Sequence, residues 1–378
     1  MDAINLLEGA LKIYGPPTQE QVVCDYLVAQ MNALGMRAFR DEAGNAVGVI
    51  DPPVPPLSPL PAPRKAEENE AGIPREIVLL GHMDTVPGFI EVRREDGKLF
   101  GRGAVDARGP LCAFIAAATV LGRREGWRIV VVGAVEEEAA TSKGARFAAT
   151  RYRPAYCIIG EPSGWDRVTL GYKGRLLVHY RKSRPMGHTA GQARGVAESA
   201  VTFWNRITDF AAQCNQGKTK VFDLLDPSLR RIQTGDDPFY DSVEMTVGMR
   251  VPVGVTIADL KAGIAALCDA AELSFASEEE AYRADKNTPL VRAFLSAMRA
   301  HGAAPAFTVK TGTSDMNVVA PRWRCPIVAY GPGDSNLDHT PHEYVDLDEY
   351  LKAIDVLSDV LRELTQTPAS ASPRIPLK

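Results

Sequence analysis

The sequence predicts an α/β protein, a mostly parallel sheet with helices on both faces, into which a smaller α+β domain is inserted. Three observations carry this. Continuous apolar, β-branched runs recur at residues 77–80, 129–135 and 156–159, each followed or preceded by helical spacing, as expected for parallel strands buried on both faces. Between residues 167 and 275 the pattern changes to partly alternating strands that flank two amphipathic helices. Helix–strand alternation then resumes and runs to residue 364.

Taken in order, residues 4–35 show helical spacing broken at Gly15-Pro16-Pro17, with Thr18 placed to cap a second helix that runs towards Gly35. Residues 46–50 read as a strand. The stretch 52–74 holds eight prolines and the charged run 64–70, so it cannot pack as a core element and reads as a surface insertion. Its Pro-x-x-Pro pieces could attract a partner, but composition favours a plain linker. Strands are expected at 77–80, 129–135 and 156–159, with helices at 111–121 and 143–150 between them. The inserted unit pairs strands 175–183 and 242–251 with helices 196–212 and 256–270. A helix at 289–301, a strand at 327–330 and a helix at 347–364 return to the first fold, and the Pro- and Ser-rich tail 365–378 is expected to be disordered. The expected domains are therefore 1–166 with 276–378, and 167–275.

Composition excludes several functions. The 378 residues carry 43 Lys+Arg against 47 Asp+Glu, a net charge of −4, so no basic field is available to hold nucleic acid. No stretch approaches the roughly 18 apolar residues of a membrane span, and the first residues lack a leader's basic and apolar regions. A soluble, cytoplasmic protein is expected. The six cysteines are far apart and form neither a disulfide framework nor a thiolate zinc knuckle, so any metal must be held by imidazole and carboxylate.

In open α/β sheets reactive groups collect at the carboxyl ends of strands. Here those ends read Gly81-His82-Met83-Asp84, Glu136-Glu137-Glu138, Gly160-Glu161 and, after strand 327–330, Asp338-His339; Asp106 lies in a Gly-flanked loop before a helix. Each alone has a bland explanation as a satisfied or solvated polar group. Several carboxylates on one rim, however, would repel one another unless cations neutralise them. Two divalent metals would do so, zinc by ligand type, with cobalt or manganese as substitutes, and Asp106 is the candidate bridge. His82 would ligate one ion, with Asp84 placed to accept from its other ring nitrogen.

A second glutamate triple tests this reading. Glu278-Glu279-Glu280 follows Ser277, and the Ser277/Glu280 spacing reads as a capping box at a helix start. Glu136-Glu137-Glu138 directly follows a buried strand, where a charge run has no capping role, so metal or proton chemistry is the better account.

These residues are familiar. Gly81-His82-Met83-Asp84-Thr85-Val86-Pro87, Gly101-Arg102-Gly103-Ala104-Val105-Asp106, Glu136-Glu137-Glu138, Gly160-Glu161-Pro162 and His339-Thr340-Pro341-His342-Glu343 resemble, in family order, the co-catalytic zinc aminoacylase/carboxypeptidase superfamily, which includes acetylornithine deacetylase and succinyl-diaminopimelate desuccinylase. The resemblance covers nearly the whole chain. Within that group, residues 135–146 and the short insertion look most like the lysine/ornithine hydrolases (LysK type) that act on amino acids attached to an amino-group carrier protein.

The resemblance implies one ion on His82, Asp106 and Glu161 and the other on Asp106, Glu138 and His339, with Glu137 as general base. A one-residue shift of register would instead make Glu136 the base and Glu137 the ligand, and His342 is the alternative to His339. It also implies that His188, in Gly187-His188-Thr189-Ala190-Gly191, reaches the active site of the other subunit of a homodimer to stabilise the oxyanion, and that Arg250 clamps a substrate carboxylate. Lys310, Thr313 and Ser314 fall in a loop that looks substrate-facing. Ser314 lacks a Gly-x-Ser-x-Gly elbow and is not read as a nucleophile.

The implied reaction releases lysine or ornithine from a carrier's terminal glutamate. Arg167, Lys173, Arg175, Arg181, Lys182 and Arg184 are candidates for a basic surface facing an acidic carrier of the LysW kind, or simply a solvated face. Deacetylation of N-acetylornithine, a small dipeptidase activity and a metal-dependent binding protein without catalysis are the rivals. Nucleotide binding is discarded, because Gly101-x-Gly103 lacks the third glycine and Asp106 would repel phosphate.

Overall fold

The computed structural model describes residues 2–53, 74–187, 195–235 and 237–366. In chain order these form α1 (Ala3–Leu11), α2 (Gln21–Ala33), β1 (Arg37–Arg40), β2 (Ala46–Ile50), β3 (Arg75–His82), β4 (Arg93–Glu95), β5 (Lys98–Phe100), α3 (Arg108–Leu121), β6 (Trp127–Ala134), α4 (Lys143–Arg151), β7 (Tyr156–Gly160) and β8 (Arg167–Tyr172). There follow β9 (Gly174–Pro185), α5 (Val196–Cys214), β10 (Asp226–Thr234), β11 (Tyr240–Val251), α6 (Ile257–Ala266), β12 (Glu272–Glu279) and β13 (Tyr282–Arg283). The last are α7 (Pro289–Ala300), β14 (Ala306–Lys310), α8 (Asp315–Trp323), β15 (Ile327–Ala329), β16 (Tyr344–Asp346) and α9 (Leu347–Gln366).

The chain divides into two compact units, the described residues within Met1–Leu170, Ala284–Thr308 and Val318–Lys378 forming the first and those within Gly171–Arg283 and Val309–Asn317 the second. The second unit runs past residue 275, where sequence patterning ended it, because β12 completes its sheet along β9. The Pro-rich stretch falls almost wholly outside the described residues, as does the chain after Gln366; Thr365 and Gln366, expected in the tail, are the last turn of α9.

In the first unit the main sheet runs β1-β2-β6-β3-β7-β15-β8. Its four central strands, β6, β3, β7 and β15, are parallel, and the flanking β2 and β8 are antiparallel. The apolar runs of β3, β6 and β7 are buried because helices cover them: α3 packs on these strands, α4 on β6 and α2 on β2. Twelve of the fourteen residues of α3 are buried, since α1 and α9 close over its outer side. Its approach to the sheet depends on glycine. Gly133, Gly81 and Gly160 are register partners across three adjacent strands, and a Cβ would lie 3.3 Å from Leu111 at Gly81 and 3.0 Å from Phe114 at Gly160.

Arg108, at the start of α3, is 1% exposed and serves as an internal tie. Its Nε donates to the Met83 carbonyl (2.8 Å), and its Nη atoms donate to the carbonyls of Ala10 (2.9 Å), Ile13 (2.5 Å) and Gly15 (3.4 Å). Burial lowers its pKa to about 10, which leaves it charged at neutral pH. It thereby fixes the turn at Gly15-Pro16-Pro17 and the segment after His82 together. Thr18 does not cap the second helix: it sits at φ 71°, and α2 begins at Gln21.

In the second unit a sheet ordered β10-β11-β9-β12 carries α5 and α6 on one face. Leu176, Val178 and Tyr180 of β9 pack with Val243, Met245, Val247 and Met249 of β11 against Phe203 and Ile207 of α5 and Leu260 and Ile264 of α6. The expected capping box at Ser277/Glu280 is corrected here. Residues 272–279 form a strand, Ser277 (φ 52°) lies at its irregularity, and the Glu280 carboxylate accepts from the N–H of Ile257, the first residue of α6, at 2.9 Å. The acid does cap a helix, but one reached through the fold. The proposed basic surface is also corrected: Lys173 is fully buried, and along β9 Arg175 and Arg181 share one face while Lys182 and Arg184 belong to the other. Among the described residues no helix is long and apolar enough to cross a membrane.

Replacing Arg108 by Leu should destabilise the first unit by about 3 kcal/mol, because three or more buried carbonyls lose their donor. Denaturant unfolding of the variant checks this; a loss below about 1 kcal/mol would show that water replaces the guanidinium at no great cost.

Candidate metal centre

The parallel register of the first unit sets the rim. His82 pairs in register with Ala134, and Gly81 with Gly160, so the carboxyl ends of β6, β3 and β7 are level. The residues just past those ends, Glu136 to Glu138, His82 to Asp84, and Glu161, therefore emerge side by side. β15, parallel to β7, feeds the segment that bears His339.

His82 is 1% exposed. Its Nδ1 lies 3.0 Å from the backbone carbonyl of Asp84, and its Nε2 lies 3.2 Å from Asp106 Oδ1. With Nδ1–H donating to that carbonyl, the lone pair of Nε2 points at the cluster. The Asp84 carboxylate is a weaker partner for the ring, at 3.5 Å, because it accepts instead from the N–H groups of Glu137 (3.2 Å) and Glu138 (2.9 Å). Asp84 thus fixes the glutamate run rather than chiefly the imidazole.

The second oxygen of Asp106 faces a different imidazole. His339 Nε2 lies 2.9 Å from Asp106 Oδ2 and 3.0 Å from Glu138 Oε1. Donor atoms of His82, Asp106 and Glu138 all lie within 4.8 Å of one another. Glu161 is buried at the same rim but falls outside that close group. His342, the alternative to His339, is exposed, and its N–H donates to Thr340 Oγ1.

The three consecutive glutamates separate. Glu136 (φ 58°) gives its N–H to Glu20 Oε1 at 3.0 Å, and its carboxylate accepts from Thr141 Oγ1 at 2.6 Å with Lys143 nearby at 3.6 Å. Glu138 joins the donor group, and the charge of Glu137 is among those that raise the pKa of His82. The structure therefore brings Glu138, and not Glu136, to the cluster.

The electrostatics show what the donor set requires. Burial alone would lower the pKa of His82, but hydrogen bonds to Asp106 and Asp84 lift it well above its ordinary value. Hydrogen bonds to Asp106 and Glu138 push His339 up to about 10. Burial opposes ionisation of Asp106, yet the two imidazoles pull its pKa below the usual carboxylate range; burial, with the Asp106 charge, raises Glu138. Where protons alone balance these carboxylates, both rings must hold one. A set of two imidazoles and buried carboxylates fits divalent cations of borderline hardness.

Residues outside the sequence-based set support the centre. The Glu343 carboxylate, completely buried, accepts three N–H groups of the 103–106 loop and pairs with Arg102. Asn45 Oδ1 accepts from Val135 N–H at 3.1 Å, and its Nδ2 donates to the Gly144 carbonyl at 3.2 Å, which closes the turn holding the glutamates. Glu343 was visible only as the end of the His339–Glu343 motif; nothing local marks Asn45 or Glu20.

The remaining sequence-based residues lie in the second unit or beyond the described residues. Arg250 Nη1 lies 3.5 Å from Thr313 Oγ1, and burial together with Arg175 and Arg230 lowers its pKa. The Lys310 carbonyl accepts from Lys173 N–H at 3.2 Å. Ser314 is buried, and its hydroxyl accepts from Met316 N–H at 3.2 Å, which makes it a cap for α8 rather than an open contact. His188 lies outside the described residues.

Residues 78–363 match the family described as Peptidase family M20/M25/M40. The chain is 41% identical to the [LysW]-lysine hydrolase of Deinococcus radiodurans over 96% of this chain and 97% of that protein. It is 31% identical to the [LysW]-lysine/[LysW]-ornithine hydrolase of Sulfurisphaera tokodaii over 76% of this chain and 81% of that one. Its fold resembles that of a dinuclear metal binding peptidase from Bacillus subtilis, with a TM-score of 0.68 at 12% identity, over 97% of this chain and 98% of the other.

The pKa directions predict how metal uptake depends on pH. The folded pKa of His339, about 10, lies above its ordinary 6.5, so the proton's stabilising contribution is complete below about 6.5 and is lost as pH rises towards 10. An entering cation must displace that proton and the one on His82. Zinc uptake by apoprotein at pH 7 should therefore release about two protons, and affinity should climb between pH 6.5 and 10. Calorimetry in buffers of different ionisation enthalpy reads this directly; heats independent of buffer would contradict it.

Proposed function

We propose, since this chain belongs to Peptidase family M20/M25/M40 and is a hydrolase of carbon–nitrogen amide bonds, that it releases L-lysine or L-ornithine from the C-terminal glutamate of an amino-group carrier protein, using two zinc ions. The observation that carries the chemistry is Asp106, each of whose oxygens faces a different imidazole. In this reading His82, Asp106 and Glu161 hold one ion and Asp106, Glu138 and His339 the other, with cobalt or manganese as substitutes. Bound there, such ions would supply a water of lowered pKa and polarise the scissile carbonyl.

The chain's own residues do the rest. Glu137 takes the proton of the attacking water on its carboxylate and returns it to the amide nitrogen as the carbon–nitrogen bond breaks, so that this nitrogen departs as a neutral amine. Asp84 holds the backbone of Glu137 and so sets where that carboxylate stands. Arg250, with Thr313 beside it and Lys310 in the same unit, takes a substrate carboxylate. His188, contributed across a homodimer by the inserted unit, stabilises the oxyanion. The setting is the cytoplasm, with no nucleic acid or membrane involved, and the pathway is the biosynthesis of lysine or arginine.

The substrate assignment is tested on one preparation with carrier-linked lysine, carrier-linked ornithine, N-acetylornithine and a dipeptide. Release of lysine or ornithine from the carrier is expected to exceed turnover of the others by at least about tenfold, a difference of 1.4 kcal/mol in barrier. Faster cleavage of N-acetylornithine would move the chain to the deacetylases. Glu137→Gln should keep metal content and fold while lowering kcat by roughly 10²–10⁴-fold, the usual share of a general base. Retained turnover in that variant with a dead Glu136→Gln would assign the base to Glu136.

A further inference from the structure

The bridging carboxylate and the imidazole beside it come from segments more than two hundred residues apart, and a single buried ion pair joins those segments. Glu343 Oε1 accepts from the N–H groups of Gly103 (3.0 Å), Val105 (2.9 Å) and Asp106 (3.0 Å), while Oε2 accepts from Arg102 Nη1 (2.8 Å). Arg102 Nη1 donates as well to the carbonyl of Thr340 (3.0 Å), the residue after His339, and its Nε donates to the Gly88 carbonyl (3.2 Å). The Glu343 carbonyl accepts from Gly101 N–H (3.2 Å), so the acid grips the loop by main chain and side chain alike.

His339 needs such a hold. Its side chain is 52% exposed, so packing does little to orient it, and its backbone stands at φ 62°, a region that a residue with a Cβ enters only when its surroundings require it. Asp106 is held at its own N–H, which leaves only the two side-chain torsions between that anchor and the carboxylate that faces both imidazoles. We propose that the Glu343–Arg102 pair is the positioning device of the centre: it sets the separation of Asp106 and His339, and hence the tightness with which the second ion is held. Neither residue touches the donor cluster. Glu343 acts through the backbone N–H of Asp106, and Arg102 through the carbonyl of Thr340, the residue after His339.

This inference rests on the two-ion reading. The charges suit the task, because Arg102 neutralises Glu343 and removes it as a rival donor, while three convergent N–H groups demand an acceptor with full negative charge. Glutamine keeps the length of the side chain but turns an N–H₂ group either towards Arg102 or towards the loop. Lysine at position 102 keeps the charge but loses the planar fork that reaches Glu343, Thr340 and Gly88 at once.

The experiment is a zinc titration of apoprotein against a chromophoric chelator, for wild type, Glu343→Gln and Arg102→Lys, with thermal melts of the metal-free proteins alongside. Wild type should take two ions. Both variants should bind the weaker ion roughly 10–100-fold less tightly, the usual cost of removing a group that orients a ligand. A purely structural role would lower the apoprotein Tm and leave both affinities unchanged, and that result overturns the proposal. Should Glu343→Gln fail to fold, Arg102→Lys decides alone: wild-type affinity for both ions in that variant rejects the device. A wild-type chain that takes no ion at all would instead reject the two-ion reading.

Discussion

A carboxylate held between two imidazoles with further carboxylates at its side is stable only under compensating positive charge, and the first unit is organised around that requirement. Asp106 meets His82 through one oxygen and His339 through the other, with Glu138 against His339. Removing these acids from water is costly in itself, which is why burial acts to raise both Asp106 and Glu138. Protonated rings can balance the charge, but an imidazolium spends its lone pair on the proton and offers nothing to a substrate. A divalent ion balances the same charge and leaves an electrophile in the place of the proton. The donor set thus trades protons for cations rather than forming a site from nothing.

Such an arrangement has to be held from outside, because the loops that carry it would otherwise move apart. The strands supply only the coarse placement, by levelling the ends of β6, β3 and β7. The fine placement is made by polar side chains that bond main chain: Asp84 to the glutamate run, Asn45 to Val135 and Gly144, Arg108 to four carbonyls and Glu343 to three amides. Each of these satisfies loop groups that helix and sheet ladders leave unpaired. The centre is therefore most densely hydrogen-bonded to main chain where it is least regular, which suits a site whose geometry must survive substrate entry.

Legibility from sequence followed the strength of the physical signal. The central strands were readable because a run such as Ile129-Val130-Val131-Val132 has few other fates, and the polar residues after such runs led to His82, Glu138 and His339. β10 was missed because Asp226–Thr234 is exposed along nearly its whole length and carries no apolar face to betray it. Ser277 and Glu280 misled for another reason. The spacing of a capping box says that an acid can reach an amide, but here Glu280 reaches that of Ile257, 23 residues away, which only the fold brings near. The roles of Glu343 and Asn45 were illegible on the same ground, since the 103–106 loop amides that Glu343 accepts and the Val135 and Gly144 groups that Asn45 bonds lie 90 or more residues away along the chain.

The glutamate run shows how backbone geometry decides what residue type leaves open. Three adjacent acids cannot share one cluster, because each added charge raises the pKa of the rest. Glu136 adopts a positive φ, which turns the chain and sends its carboxylate to Thr141 and Lys143. The next two amides then converge on the single carboxylate of Asp84, and two successive N–H groups that converge on one side leave their side chains pointing apart. Glu138 is thereby directed to His339, and Glu137, its immediate neighbour, is left to a different position around His82. The different placements of these adjacent acids, alike in residue type, are made by one left-handed residue and one buried aspartate.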